Sequence, residues 1–172
     1  MKKIKLMAGT AVMAISLLAG MNSAQAAADT TEFLRKAGVS GTFEIESSKL
    51  AATKSGDPEV KAFAQQMIAD HTAAAAGLKA AAAADGYGAD KVPSALDEKH
   101  IEKLNGLQKK DNGKDFDTAY TDIQAKAHED AVENFRAYAQ DGDKPNLKAF
   151  AQKTLPTLKS HEDHAEALDK KY

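Results

Sequence analysis

Four side chains in this sequence have the types and positions to share one site: Glu44, His71, His128 and His161. His71 closes the stretch Met-Ile-Ala-Asp-His at 67–71, where the series Val60, Phe63, Ala64, Met67 leads to another apolar residue at helical spacing. His128 and His161 fall on or beside the apolar series of two later segments, and Glu44 falls on that of the first. Imidazoles and a carboxylate among apolar residues serve two chemistries. Together they hold one divalent transition metal such as zinc, iron or manganese, in preference to calcium or magnesium, which take mostly oxygen. Alternatively they form a buried hydrogen-bonded network that fixes helix register, with one imidazole charged against the carboxylate. Asp70, Tyr120 and Gln124 are placed to be outer partners in either case.

Other chemistries lack their residues. There is no cysteine, so disulfides, thiol catalysis and a lipid-modified cysteine are excluded. There is no Gly-x-Ser-x-Gly and no phosphate-binding glycine loop. A di-iron centre needs Glu-x-x-His on two helices, but the residues three before His71, His128 and His161 are Ile68, Ala125 and Leu158. Asp97-x-x-His100 approaches that spacing and reads as a solvated face of a short helix. His161-x-x-His164 is a two-histidine pair whose second member lies partly off the stripe. A binding or structural role is expected rather than catalysis.

The elements that must position these residues are long helices. Apolar residues recur at three-and-four spacing over 31–54, 58–84, 114–140 and 145–170, and over a shorter segment at 95–108 that Ser94 can cap. Gly56, Asp57 and Pro58 mark one exit and the next start. The alanine run at 73–84 reads as strong helix with a thin side. Pro156 is expected to kink the last helix. Two tight connections make the first and second pairs antiparallel, while residues 85–113 are long enough to travel the bundle. The expected fold is all-α, a ferritin-like four-helix bundle with a short extra helix on the crossover, the plain up-down bundle being the alternative. At about 1.5 Å per residue, all four site residues then fall near mid-bundle.

Residues 1–26 have the pattern of a cleaved secretory signal: Lys2, Lys3 and Lys5, an uncharged run from Leu6 to Ala19, and Ala24-Gln25-Ala26. Residues 27–172 form one domain, with no further stretch apolar enough to span a bilayer. Removing the three leader lysines shifts the net charge from −2 to −5, histidines neutral. That balance speaks against nucleic acid and against an anionic membrane surface. The expected location is the periplasm.

Four stretches carry a family resemblance: Phe43–Ala51 (FEIESSKLA), Pro58–His71 (PEVKAFAQQMIADH), Phe116–Ala131 (FDTAYTDIQAKAHEDA) and Leu147–Leu168 (LKAFAQKTLPTLKSHEDHAEAL). Together they resemble the bacterial exported family catalogued as domain of unknown function 4142, over about residues 29–169. The resemblance implies an exported protein with a ferritin-like four-helix fold and no established activity. Carried over position by position, the family's recurring polar residues fall on Glu44, His71, His128 and His161.

Overall fold

A computed structural model describes residues 19–172, with side chains from Thr30 onward. The expected signal segment, residues 1–26, therefore lies outside the residues whose side chains are described. The elements are helices α1 (Ala19–Lys54), α2 (Pro58–Ala84), α3 (Glu98–Gln108), α4 (Lys114–Asp141) and α5 (Pro145–Asp169), with a 3₁₀ turn at Ala89–Lys91. No strand is present among the described residues. Nor is any helix among them long and apolar enough to cross a membrane.

Local chemistry sets the boundaries. Asp57 caps α2 by accepting the Glu59 N–H at 2.7 Å, and Pro58 occupies the first turn, where its missing N–H costs nothing. The alanine run stays helical throughout, since alanine is the best helix former and only Leu78 and Ala82 of that stretch need burial. Gly113 precedes α4 with φ +86°, a conformation that favours glycine, and its N–H bonds to the Lys54 carbonyl at 2.9 Å. That bond ties the end of α1 to the start of α4.

Paired contacts fix the helix directions. Thr30 meets Tyr138 at 2.7 Å and Ser48 meets Tyr120 at 2.8 Å, so α1 and α4 are antiparallel. Asp85 accepts the Leu147 N–H at one end of the α2–α5 pair and Lys171 pairs with Glu59 at the other, so these two are antiparallel as well. With tight turns joining α1 to α2 and α4 to α5, α2 and α4 run in the same direction. The ring order is α1, α2, α5, α4. The segment 85–113 must then travel the bundle's length, and it leaves Val92 in one core and Leu107 in the other.

Those cores occupy opposite halves. One gathers Phe33, Leu34, Leu78, Val132, Phe135 and Leu147. The other gathers Val60, Phe63, Met67, Phe116, Tyr120 and Leu168. The polar stripe residues lie between them.

Several local expectations are corrected. The short helix starts at Glu98 and not at residue 95: Asp97, not Ser94, is its cap, accepting the His100 N–H at 3.0 Å. Asp97 keeps a solvated side chain, but His100 is only half-exposed: its ring pairs with Asp97 and lies 5.1 Å from the Phe43 ring. On this helix Ile101 is 46% exposed, and Leu107 carries the burial. In α4 Gln124 is fully buried, while its apolar neighbour Ile123 is half-buried. As expected, Pro156 lies inside α5, whose helix runs on to Asp169.

Candidate metal centre

All four sequence-selected residues are buried: Glu44, His71, His128 and His161 each keep 5% or less of their surface exposed. Each comes from a different long helix, α1, α2, α4 and α5 in turn. The three imidazole rings form a nearly equilateral triangle, with centroid separations of 5.6, 5.4 and 5.5 Å. Each ring offers a nitrogen within 4.8 Å of those of the other two.

Every ring is held from behind by one nitrogen. His71 Nδ1 lies 2.7 Å from Glu44 Oε2. His128 Nδ1 donates to the Gln124 carbonyl at 2.9 Å. His161 Nε2 lies 2.9 Å from Asp70 Oδ2. The other nitrogen of each ring, His71 Nε2, His128 Nε2 and His161 Nδ1, is buried without a hydrogen-bond partner. This division of labour matches the outer-sphere support of metal-bound histidines, where a carboxylate or carbonyl fixes the tautomer and turns the other nitrogen's lone pair toward the ion. A carbonyl can only accept, so His128 must carry its proton on Nδ1 and present a lone pair at Nε2.

Glu44 stands behind His71 and not within the converging group, which holds only the three histidines. Its second oxygen accepts from Ser40 at 3.1 Å. Of the expected outer partners, Asp70 holds His161, and Gln124 serves His128 through its backbone while its amide donates to Ser47 at 2.9 Å. Tyr120 instead bonds Ser48, and His164 lies against Phe63. The backbone role of Gln124 has no signature in its side chain, so its type could not have announced it.

The electrostatics follow from burial and neighbours. Burial alone would raise the Glu44 carboxyl, but the charges of His71 and His128 and the hydrogen bonds from His71 and Ser40 hold it down at about 2. Burial opposes charge on His71, and the Glu44 carboxylate outweighs it and raises His71 above its ordinary range. His128 and His161 are pushed down, chiefly by burial, against the pull of Glu44 on the first and Asp70 on the second. These directions favour an ion pair of His71 with the Glu44 carboxylate and oppose charge on the His128 and His161 imidazoles.

The donor set can be tested for size. Bonds of about 2.1 Å in tetrahedral arrangement put nitrogens roughly 3.4 Å apart. Atoms already within 4.8 Å need to close by at most about 1.4 Å per pair, which small side-chain rotations supply. Three imidazoles suit zinc or iron and leave a coordination position open.

Fold and site together define an all-helical protein with a buried three-histidine cluster. A family model, "Domain of unknown function (DUF4142)", matches residues 16–168, and the chain belongs to that family. No curated protein and no solved structure matches the chain.

Proposed function

We propose that this is an exported periplasmic protein of ferritin-like topology that holds one divalent transition metal on His71, His128 and His161. Glu44 and Asp70 orient two of the ligands, and the Gln124 carbonyl orients the third. The observation that carries the reading is the convergence of three buried imidazoles, each with one partnerless ring nitrogen and each offering a nitrogen within 4.8 Å of the others. Each such group costs about 1–3 kcal/mol when left unsatisfied, and a single cation satisfies all three. Parallel α2 and α4, joined by a crossover that spans both cores, support the ferritin-like connectivity. The charged start, apolar run and Ala24-Gln25-Ala26 of the leader support export and cleavage before Ala27.

Metal analysis of periplasmic protein purified without chelator or histidine tag tests this. Expected is close to one equivalent of zinc, iron or manganese per chain, lost in His71→Ala, His128→Ala and His161→Ala but retained in His164→Ala. Metal-free wild type that gains no melting temperature when any of these ions is added would mark the cluster as a register-setting network. Intact mass of the same sample locates the cleavage site, and a retained Met1 in washed membranes would overturn export.

A further inference from the structure

We infer that the cavity beside the histidine cluster is a binding site for a small anionic amphiphile, an apolar body ending in one carboxylate. The inference goes beyond the metal reading and needs no metal in place. The cavity has a volume of about 510 Å³, within the range of roughly 300–1,000 Å³ typical of small-molecule pockets. It lies among α1, α2, α4, α5 and the crossover, and reaches inward to Glu44 and His71.

The cavity is a product of residue choice. Where the helices face it they carry small side chains: Ser40 and Gly41 on α1, Ala74 and Ala75 on α2, Ala127 and Ala131 on α4. Gly41 is the telling case. It sits inside a helix, where glycine costs stability. Its φ is not positive, and a Cβ added there would meet no heavy atom within 4 Å. Neither backbone geometry nor close approach requires glycine at this position. The contrast is Gly38, where a Cβ would fall 2.4 Å from the Pro93 carbonyl oxygen. What the absent side chain of Gly41 leaves is room.

Apolar walls and a basic edge define the occupant. Phe43, Leu78, Val92, Phe135, Phe150 and Leu158 supply apolar surface. Lys99 and Lys103 of α3 border the cavity without a carboxylate partner among the described residues. Lys103 is half-buried, with its ammonium 5.9 Å from the centre of the Phe43 ring, so a cation is already held over the apolar wall. Asp130 and Glu133 border the cavity from α4, but both are exposed, and Asp97, at the start of α3, is engaged by His100 and Arg35. Glu44, at the inner end, is engaged by His71 and Ser40. An apolar chain inside with its carboxylate at Lys103 satisfies both features.

Calorimetry of the full mature protein with decanoate, decanol and decylamine tests the site. Decanoate should bind at one per chain, more tightly than either of the others. Gly41→Leu, which fills the cavity, should weaken decanoate at least tenfold while melting temperature does not fall. Ala75→Leu fills it from α2 and serves if the first variant does not fold. Lys103→Glu should weaken decanoate at least fivefold and change decanol by less than twofold. Absence of decanoate binding, wild-type affinity in a folded filling variant, or tighter binding of decylamine would overturn the inference. Zinc content measured on the same samples keeps its failure separate from failure of the metal reading, because Gly41→Leu should leave that content unchanged.

Discussion

The same four long helices build two unlike halves on either side of the histidine layer. In the half nearer the α1–α2 turn, Phe63, Met67, Phe116, Tyr120 and Leu168 are fully buried and interleave large side chains across the bundle. In the other half, Leu78, Phe135 and Leu158 border a cavity, and α1, α2 and α4 present Gly41, Ala74 and Ala131 toward it. Close packing to crystal-like density is the ordinary state of a protein interior. The filled half supplies stability, and the thinner half and the polar layer give some of it up.

Identical truncations should expose the contrast most strongly. Leu168→Ala, in the filled half, is expected to cost about 4 kcal/mol, and Leu78→Ala, beside the cavity, about 2 kcal/mol, since leucine-to-alanine costs run about 2–5 and fall where fewer contacts are lost. Urea denaturation of both checks this, and equal losses would erase the distinction between the halves.

The layer between them responds differently. Glu44→Gln keeps the shape and removes the charge that faces His71. It should cost about 2 kcal/mol, less than the roughly 3–5 of a broken buried ion pair, because His71 can shed its proton. The same variant should lower zinc affinity by roughly 10–100-fold, as loss of an outer-sphere partner typically does, while leaving the three histidines in place.

A smaller, graded effect is expected with pH. His128 and His161 have folded values below the ordinary 6.5, so the stability they contribute is present above 6.5 and lost as pH falls below it. His71 is raised, so its contribution is complete below 6.5 and lost as pH rises through its folded value. Glu44, held at about 2 against an ordinary 4.5, adds stability above 4.5 that disappears as pH falls from 4.5 toward 2. Metal-free protein should therefore lose melting temperature as pH falls below 6.5, where the His71 contribution is already complete, and lose more below 4.5. Glu44→Gln should lack the lower step. A melting temperature that rises steadily on acidification would contradict these assignments.

The smallest change is expected at Gly41. Gly41→Ala should stabilise the fold by about 0.5–1 kcal/mol through helix propensity alone, visible as a modest rise in thermal midpoint. A loss would show that the glycine serves packing after all.

Much of this was legible in the sequence, and the exceptions are physical. Long helices announce themselves because apolar spacing, Asp57-Pro58 and Gly113 repeat one message at several levels. The three histidines stood out because each interrupts an apolar stripe, and counting residues from the turns put them at one height. Spacing could not say which way a side chain turns. Glu44 and Asp70 are both carboxylates near a histidine, and only the packed bundle shows that both stand behind a ring. Gln124 displaced Ile123 from the interior because its amide finds Ser47 and its carbonyl finds His128, contacts between distant segments that propensity does not encode. Asp97 won the cap of α3 over Ser94 because it also engages the His100 ring beside Phe43. The cavity was present in the sequence only as weak signals, a glycine and a run of alanines, which read equally well as poor or thin helix.

The central claim is that three imidazole nitrogens meet on one ion between the two halves. X-ray absorption of the zinc-loaded protein addresses it most directly. The expected spectrum shows three imidazole nitrogens at about 2.0–2.1 Å with the outer-shell scattering of their rings, falling to two in His128→Ala. A shell dominated by oxygen, or one that His128→Ala leaves unchanged, would contradict it.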